Sequence, residues 1–250
     1  MKKIFIPLLA FLLVTGSNTN SLAITHPSSD VQAPEYLAKI WLKSLDGTYA
    51  EQVCSGALLT PVTVVTAAHC IFERDIVFIN LGEDKKEYKV SKKIIHANYN
   101  QEDNLYDIAI IVLTESSDNK ALSLPPVNDK PLLRIENLYI LGNGENENGE
   151  RDFQFKKSIQ MDLSSNGRSF YEKFDETLQI TAGRYIAEIE NYSKACKGDS
   201  GAPLIANFAG IDTLLGLVSY GADDCSTAAP SVFVRIAAHR EFIKQALELE

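Results

Sequence analysis

The sequence of 250 residues predicts an all-β protein that ends in a helix. Its apolar segments are short and rich in β-branched residues, and Gly, Asn, Asp and Pro separate them, which favours antiparallel strands. We predict strands over five of these segments: 62–66, 76–80, 108–113, 214–219 and 232–236. The segment 237–249 differs, because its apolar residues recur at helical spacing among charged ones: Phe242, Ile243, Ala246 and Leu247. It is predicted to form a terminal amphipathic helix.

The first 23 residues have the pattern of a secretory signal peptide. Two lysines precede an apolar run over 4–14, and Ser21-Leu22-Ala23 provides small residues at a cleavage point. The run is shorter than the roughly 20 residues that span a bilayer. We expect cleavage near Ala23 and a secreted mature chain, extracellular or periplasmic, without a membrane anchor. The lysine-rich start is typical of a bacterial signal.

Charge and length exclude some functions. The chain has 33 acidic and 24 basic residues, and cleavage removes two lysines and no acid. An acidic chain without a basic stripe is a poor ligand for nucleic acid, so we expect no nucleic-acid partner. The remaining length can bury the core of one large two-layer domain or two small barrels, and we expect a monomer. Prolines in 122–131 indicate a boundary, which we place after Pro126.

The chain has four cysteines: Cys54, Cys70, Cys196 and Cys225. In an exported protein without a Cys-x-x-Cys pair, disulfides are the expected state, and three pairings are open. The alternative is a zinc site made of Cys54, His69 and Cys70, although adjacent ligands suit a tetrahedral ion poorly.

A candidate nucleophile lies in the segment Gly198-Asp199-Ser200-Gly201. Glycines allow close approach of a substrate, and the amides of Gly198 and Ser200 could both point at a developing oxyanion. The alternative is an ordinary turn, which the same residues also favour.

A serine hydroxyl needs a base, normally a histidine whose other nitrogen is held by a carboxylate. His69 follows an apolar strand, among small residues, in Thr66-Ala67-Ala68-His69-Cys70. Asp107 opens a strongly apolar strand, and the order His, Asp, Ser is a known order of catalytic triads. We interpret the other histidines as structural or solvated: His26, His96 and His239.

These three motifs resemble the chymotrypsin/trypsin family of serine endopeptidases. Further similarity lies in Leu81-Gly82-Glu83-Asp84, in 93–100 and in the strand Val218-Ser219-Tyr220-Gly221. The resemblance implies two perpendicular six-stranded antiparallel β-barrels and a C-terminal helix. Residues 24–126 would form the first barrel, with His69 and Asp107, and 127–250 the second, with Ser200. It also implies two disulfides, Cys54–Cys70 and Cys196–Cys225.

The resemblance also implies a mechanism. Ser200 would attack a peptide carbonyl and form an acyl-enzyme, His69 would take and return the proton, and Asp107 would fix the imidazole tautomer. The amides of Gly198 and Ser200 would hold the oxyanion. Substrates would be proteins or peptides, with no cofactor. The loop 83–88 has too few oxygens for a calcium shell, so we expect no required metal.

Activation would follow from Asp199, which resembles the family's activation aspartate. Signal cleavage would expose Ile24, and we hypothesise that this new terminus pairs with Asp199 without a separate zymogen step. The alternative is that Asp199 only caps a turn.

The sequence differs from trypsin at a position that the resemblance assigns to substrate specificity. Lys194, six residues before the serine, resembles the base of the primary pocket, where trypsin has an aspartate. Ser219, Tyr220 and Gly221 resemble the substrate-pairing strand, and Gly221 and Ser231 the pocket wall. Lys194 could pair with Asp or Glu of a substrate, point into water, or be neutralised by Asp223 or Asp224. Rival functions are a catalytically silent binding protein on a protease fold and an esterase or other hydrolase.

Overall fold

The computed structural model describes residues 24–44, 46–130, 138–146, 148–150, 156–159, 162–164, 167–208, 210–222 and 224–248. The predicted signal peptide, 1–23, lies outside these ranges. Among the described residues, the helices are too short and too polar to cross a membrane.

The described chain is built mainly of strands. In chain order they are β1 (Ser29–Asp30), β2 (Leu37–Lys43), β3 (Ala50–Thr60), β4 (Thr63–Thr66), β5 (Ile76–Leu81), β6 (Val90–Ile95), β7 (Ala109–Leu113), β8 (Leu138–Gly142), β9 (Lys156–Ile159), β10 (Asp162–Ser164), β11 (Gln179–Ile186), β12 (Asn191–Ser193), β13 (Pro203–Phe208), β14 (Ile211–Tyr220) and β15 (Ser231–Arg235). The helices are α1 (Ala68–Ile71), α2 (Gly167–Phe170) and α3 (Arg240–Leu247), with 3₁₀ turns at 187–189 and 236–239.

The strands form two curled antiparallel sheets. The first has the order β5-β2-β3-β4-β7-β6. The second has the order β1-β9-β8-β13-β14-β15-β11-β10, with β12 paired to β11. Six longer strands make up the body of the second sheet, and the short β1, β10 and β12 extend its edges. The trypsin-like all-β fold that the sequence predicts is confirmed.

The five predicted strands correspond to β4, β5, β7, β14 and β15. β7 shows why the prediction succeeds, since its run Ala-Ile-Ile-Val-Leu is buried at every position. The terminal helix is also confirmed, but it begins at Arg240 because 236–239 forms a 3₁₀ turn first. Ile243 and Ala246 pack into a core cluster to which both sheets contribute residues.

One segment departs from the predicted division at residue 126. Residues 24–30 were expected in the N-terminal barrel, but they pair with the second sheet. Ser29 and Asp30 pair with β9, and the Thr25 amide donates to the Lys194 carbonyl at 3.0 Å. Ile24 is fully buried in the core of the second sheet. Burial of this side chain and the backbone hydrogen bonds together hold the segment there.

Candidate active site

Neighbouring strands bring His69 and Asp107 together. β4 pairs with β7, so the residues after β4 lie beside those before β7. His69, in α1, follows the first, and Asp107 precedes the second. Asp107 Oδ2 lies 2.8 Å from His69 Nδ1, and Asp107 Oδ1 accepts the His69 amide at 2.8 Å. Two hydrogen bonds to one carboxylate fix both the ring and the backbone of the histidine.

The carboxylate has a third partner, from the second sheet. Ser219 Oγ donates to Asp107 Oδ2 at 2.6 Å. Asp107 is fully buried, and a buried charge is tolerated only when hydrogen bonds replace its water. The sequence indicated Ser219 only as part of a substrate-pairing strand, so this contact with Asp107 was missed.

The electrostatics favour a proton on His69. Burial lowers the pKa of His69, but the charge of Asp107 and its hydrogen bond raise it, and the net shift is upward from 6.5. About a quarter of the His69 side chain, 26%, is exposed, so a substrate can reach it. The ring can therefore accept a proton from a neighbouring group and be stabilised in the charged form.

A glycine lets the Ser200 loop approach the first sheet. The Ser200 carbonyl accepts the Ser55 amide of β3 at 2.8 Å. Gly201 has a φ of +76°, and a Cβ there would lie 2.2 Å from the Ser55 oxygen and 2.4 Å from Thr66 Oγ1. Thr66 is three residues before His69, so Ser200 and His69 lie at the same edge of that sheet.

Within the described residues, His69 Nε2 and Ser200 Oγ do not form a hydrogen bond. His69 Nε2 instead lies 3.9 Å from Cys70 Sγ. Catalytic hydrogen bonds are often long without substrate and tighten when it binds.

The backbone of 198–200 offers two amides. Gly198 has a φ of +89°, in the left-handed region that glycine tolerates. Among the described contacts, the amides of Gly198 and Ser200 donate to no protein acceptor. They can therefore bind a negatively charged oxygen between them.

Asp199 holds this loop in place. Its carboxylate accepts the Gly144 amide at 2.7 Å and the Cys196 amide at 2.9 Å. Gly142 leaves space for it, since a Cβ there would lie 2.1 Å from Asp199 Oδ1 and 3.3 Å from Ile24 Cγ1. Asp199 and Ile24 thus border the same glycine, and Asp199 also closes the turn that begins at Cys196.

A pocket of ≈ 230 Å³ lies beside the serine. Ser200, Ser219, Tyr220, Gly221 and Ser231 all line it, as the resemblance implied for the last four. The hydroxyl of Ser231, in the pocket wall, accepts a hydrogen bond from the Ala195 amide at 3.1 Å. No acidic side chain lines the pocket among the described residues, which do not include Asp223.

Lys194 does not line this pocket, contrary to its predicted place at the base. Its Nζ donates to the Thr227 carbonyl, and the residue is only 3% exposed. Burial lowers the pKa of Lys194 to about 8, although the charge of Asp224 acts in the opposite direction. Since the residue is buried, the alternative that it points into water is wrong.

The cysteines form the disulfides Cys54–Cys70 and Cys196–Cys225, the two pairings that the resemblance implied. The first joins β3 to α1 beside His69. Cys54, Cys70 and His69 lie close enough together to hold a metal. However, the two sulfurs are bonded to each other and cannot serve as thiolate ligands, so the zinc alternative is wrong.

Comparisons with known proteins show the family to which the sequence is similar. A family model described as Trypsin matches residues 29–243. Trypsin eta of Drosophila melanogaster is 24% identical over 265 residues, which cover 97% of each chain. Trypsin of Saccharopolyspora erythraea is 23% identical over 229 residues, 86% of this chain and 95% of that protein. The clotting factor G beta subunit of Tachypleus tridentatus is 25% identical over 217 residues, 77% of this chain and 70% of that protein.

Proposed function

This chain belongs to the trypsin family of serine proteases, and on that premise we propose that it is a secreted endopeptidase that hydrolyses peptide bonds through an acyl-enzyme. The observation that carries the proposal is the double contact of Asp107 with His69, at the side-chain and the backbone nitrogen. A merely structural histidine does not need a buried carboxylate that fixes its tautomer. Its substrates are proteins or peptides, and no cofactor takes part.

In the proposed reaction, Ser200 Oγ attacks the carbonyl carbon while His69 Nε2 takes its proton. Asp107 accepts a hydrogen bond from Nδ1–H and stays ionised, which leaves Nε2 as the basic atom and stabilises the imidazolium. His69 then gives the proton to the leaving amine. His69 next takes a proton from a water molecule as the water oxygen attacks the acyl carbon, and it returns that proton to Ser200 Oγ as the acyl group leaves as a carboxylic acid.

The oxygen of the tetrahedral intermediate is held by the amides of Gly198 and Ser200. Their freedom from protein acceptors in the described structure supports this role. Loss of one such donor costs on the order of 10²- to 10³-fold in rate. Asp199 positions both amides through its contacts with Gly144 and Cys196.

We further propose that cleavage after Ala23 creates the activating terminus, Ile24. The backbone supports this hypothesis, because Ile24 has a φ of +62°, which is strained for a β-branched residue. Once the bond to Ala23 is cut, no preceding carbonyl remains to clash, and this strain disappears. The freed ammonium would carry a positive charge into a buried site beside Asp199, where a carboxylate can pair with it.

For the substrate residue in the pocket, we propose an uncharged side chain. The Thr227 carbonyl engages Lys194 away from the pocket, and no acid is present among the described lining residues. An arginine or lysine of the substrate would find no partner there, and an acidic residue would not reach the Lys194 ammonium. Of the two hypotheses from the sequence, the arrangement supports the polar or apolar pocket over the acidic preference.

Labelling with a fluorophosphonate probe tests the function. The secreted protein is expected to label at Ser200, and the Ser200→Ala variant is the matched control. Hydrolysis of a peptide library by the same sample separates a peptidase from an esterase. Failure of correctly processed, folded protein to label would favour a catalytically silent binding protein.

A further inference from the structure

Two buried side-chain amides bind each other between the two sheets. Gln52 Nε2 donates to Asn143 Oδ1 at 2.9 Å, and Asn143 Nδ2 donates to Gln52 Oε1 at 3.0 Å. Gln52 belongs to β3 of the first sheet, and Asn143 directly follows β8 of the second. Both residues are buried, and Asn143 is completely so. We name Gln52 and Asn143 the amide pair.

Asn143 lies between two glycines that contact Asp199. The Gly144 amide donates to Asp199 Oδ1 at 2.7 Å. A Cβ at Gly142 would lie 2.1 Å from the same oxygen, and a Cβ at Gly144 would lie 2.8 Å from Asp199 Cγ. Both glycines therefore pack against this carboxylate, so a shift of Asn143 would move the amide that Asp199 accepts.

The backbone after Asn143 also holds the loop that contains Asp199. The Glu145 amide donates to the Lys197 carbonyl at 2.7 Å. The Asp199 amide donates to the Cys196 carbonyl at 3.0 Å, which closes the loop on itself. Gly198, whose amide is one of the two proposed oxyanion donors, lies between these bonds. The segment 142–145 therefore sets the position of the loop 196–199.

Strand β3 holds the same loop at a second point. The Ser55 amide of β3 donates to the Ser200 carbonyl at 2.8 Å. The register of β3 against β2 shifts by one residue between Gln52 and Cys54, which is a β-bulge. Bulges re-aim the side chains beside them and are common next to active sites. β3 therefore contacts Ser200 directly and reaches Asp199 through the amide pair.

We propose that the amide pair positions the oxyanion-binding amides of Gly198 and Ser200. This inference rests on the proposed peptidase function. The pair acts through Gly144 and Asp199 and does not itself touch the substrate. Catalytic groups need such supporting contacts, because small errors in their placement weaken transition-state binding.

A polar pair suits this role better than an apolar one. Replacing both partners of a buried hydrogen bond by apolar groups of similar shape is often nearly neutral for stability. Two apolar side chains can slide past each other, whereas reciprocal hydrogen bonds allow only a narrow range of distance and angle. A displacement of about 1 Å at a catalytic site can cost about 10²-fold in rate. The benefit of the amide pair is therefore expected in turnover rather than in stability.

The double variant Gln52→Leu/Asn143→Leu removes both amides together, so that neither stays buried without its partner. We expect kcat/KM for a peptide substrate to fall by about 10- to 100-fold, with little change in the denaturant midpoint of unfolding. The exchanged pair Gln52→Asn/Asn143→Gln retains one long and one short amide and should recover most of this loss.

Two inhibitors distinguish positioning from a general structural effect. A peptide aldehyde forms a tetrahedral adduct with Ser200, so the leucine variant should bind it more weakly by about the factor lost in kcat/KM. The peptide alcohol of the same sequence forms no adduct and should bind equally well to the variant and the wild type. Equal weakening of both inhibitors would mean that the substrate site as a whole is disturbed, and it would overturn the proposal.

Tyr36→Phe is the matched control. It removes other hydrogen bonds between the sheets, from the buried Tyr36 hydroxyl to Tyr139 at 3.3 Å and to Asp212 at 3.0 Å. This variant should retain the wild-type kcat/KM and aldehyde affinity. An equal loss in Tyr36→Phe would overturn the proposal, as would an unchanged kcat/KM in the leucine variant.

Hydrogen exchange measured by NMR separates this inference from the peptidase function, because it needs no turnover. The amides of Gly144 and Asp199 should exchange about tenfold faster in the leucine variant than in the wild type and slowly again in the exchanged pair. That result supports the positioning role even if the wild type fails to label with a fluorophosphonate. Unchanged exchange at both amides would overturn the positioning role even if the wild type is an active peptidase.

Discussion

Ser219 Oγ donates a hydrogen bond of 2.6 Å to Asp107 Oδ2, and this contact joins the two sheets at the buried acid. The same oxygen of Asp107 also contacts His69 Nδ1. The hydroxyl from the second sheet therefore sets how much of the carboxylate charge the histidine experiences. It makes Ser219 a positioning residue for His69, in addition to its place in the pocket wall.

Ser219→Ala should therefore change the pH profile as well as the rate. With one donor fewer, Asp107 stabilises the protonated His69 more strongly, and the acid limb of kcat/KM should move to higher pH. The loss of a hydrogen bond to a charged group is worth about 1.5–3 kcal/mol, so we expect a kcat/KM about 10- to 150-fold lower at neutral pH. Ser219→Thr keeps the hydroxyl and should restore the limb. An unshifted profile with Ser219→Ala would contradict the positioning role.

The wild-type profile should itself have a midpoint above 6.5. His69 must be neutral to act as a base, and its pKa is raised by Asp107 despite its burial. Activity is therefore low below the pKa of His69 and rises as the pH passes through it. Measured kcat/KM against pH in the free enzyme checks this. Asp107→Asn should lower activity by about 10²- to 10⁴-fold. A midpoint below pH 6.5 in the wild-type profile would be inconsistent with the pairing of His69 and Asp107.

Much of the fold could be predicted because short patterns of apolar and polar residues determine its strands. The apolar residues of β7 are stable only when buried. Asp107 at the start of this strand is therefore buried too, and its carboxylate needs hydrogen-bond donors. Small residues before His69 leave space for a ring at the end of β4. These features depend on neighbours in sequence, which is why the strands follow from reading along the chain. The pair His69–Asp107, 38 positions apart, was predicted from the order His, Asp, Ser and from the family resemblance.

The contacts that were missed join distant positions. Ser219 and Asp107 are 112 positions apart, and Lys194 meets a carbonyl 33 positions later, at Thr227. A lysine has a long side chain with many rotamers, so its place at a pocket base does not fix where its ammonium lies. The pairing of 24–30 with the second sheet depends likewise on backbone groups near 194, which no local pattern indicates.

The N-terminus can be tested with one added residue. A protein that begins with alanine before Ile24 cannot place its ammonium beside Asp199. Removing one member of a buried ion pair costs about 3–5 kcal/mol, so kcat/KM should fall by about 10²-fold or more. Ile24→Val, with a free terminus, is the control and should stay active. Mass spectrometry of the secreted protein should find Ile24 as the first residue, and full activity of the extended form would refute the hypothesis.

His239 should make the fold sensitive to acid. Burial and the charge of His96 lower its pKa to about 4, and its Nε2 is buried without a hydrogen bond in the described structure. In the unfolded chain the group titrates near 6.5, so between these values the unfolded state binds more protons. The contribution of neutral His239 to the free energy of unfolding is present above pH 6.5. Up to about 3 kcal/mol of it is lost as the pH falls to 4.

His239→Phe removes this titration. Denaturant unfolding of the wild type should show stability falling between pH 6.5 and 4, and the variant should lose less over that interval. Near pH 8 His239 is neutral, so the free energy of unfolding should depend on pH in the same way in the wild type and the variant. Measurements near pH 8 are therefore the control. Parallel curves from pH 8 to 4 would show that another group is responsible for the acid sensitivity.

The side chains that line the pocket should determine its specificity independently of Lys194. Library profiling should show cleavage after uncharged residues, and Lys194→Met should leave that ranking unchanged since Lys194 does not line the pocket. Gly221→Val should narrow the preference to small residues, because a Cβ at Gly221 has only Ser231 Oγ within 4 Å, at 3.9 Å. Cleavage after Glu that disappears in Lys194→Met would instead mean that the ammonium turns into the pocket when substrate binds. Such pairing should also weaken above about pH 8, where Lys194 loses its proton.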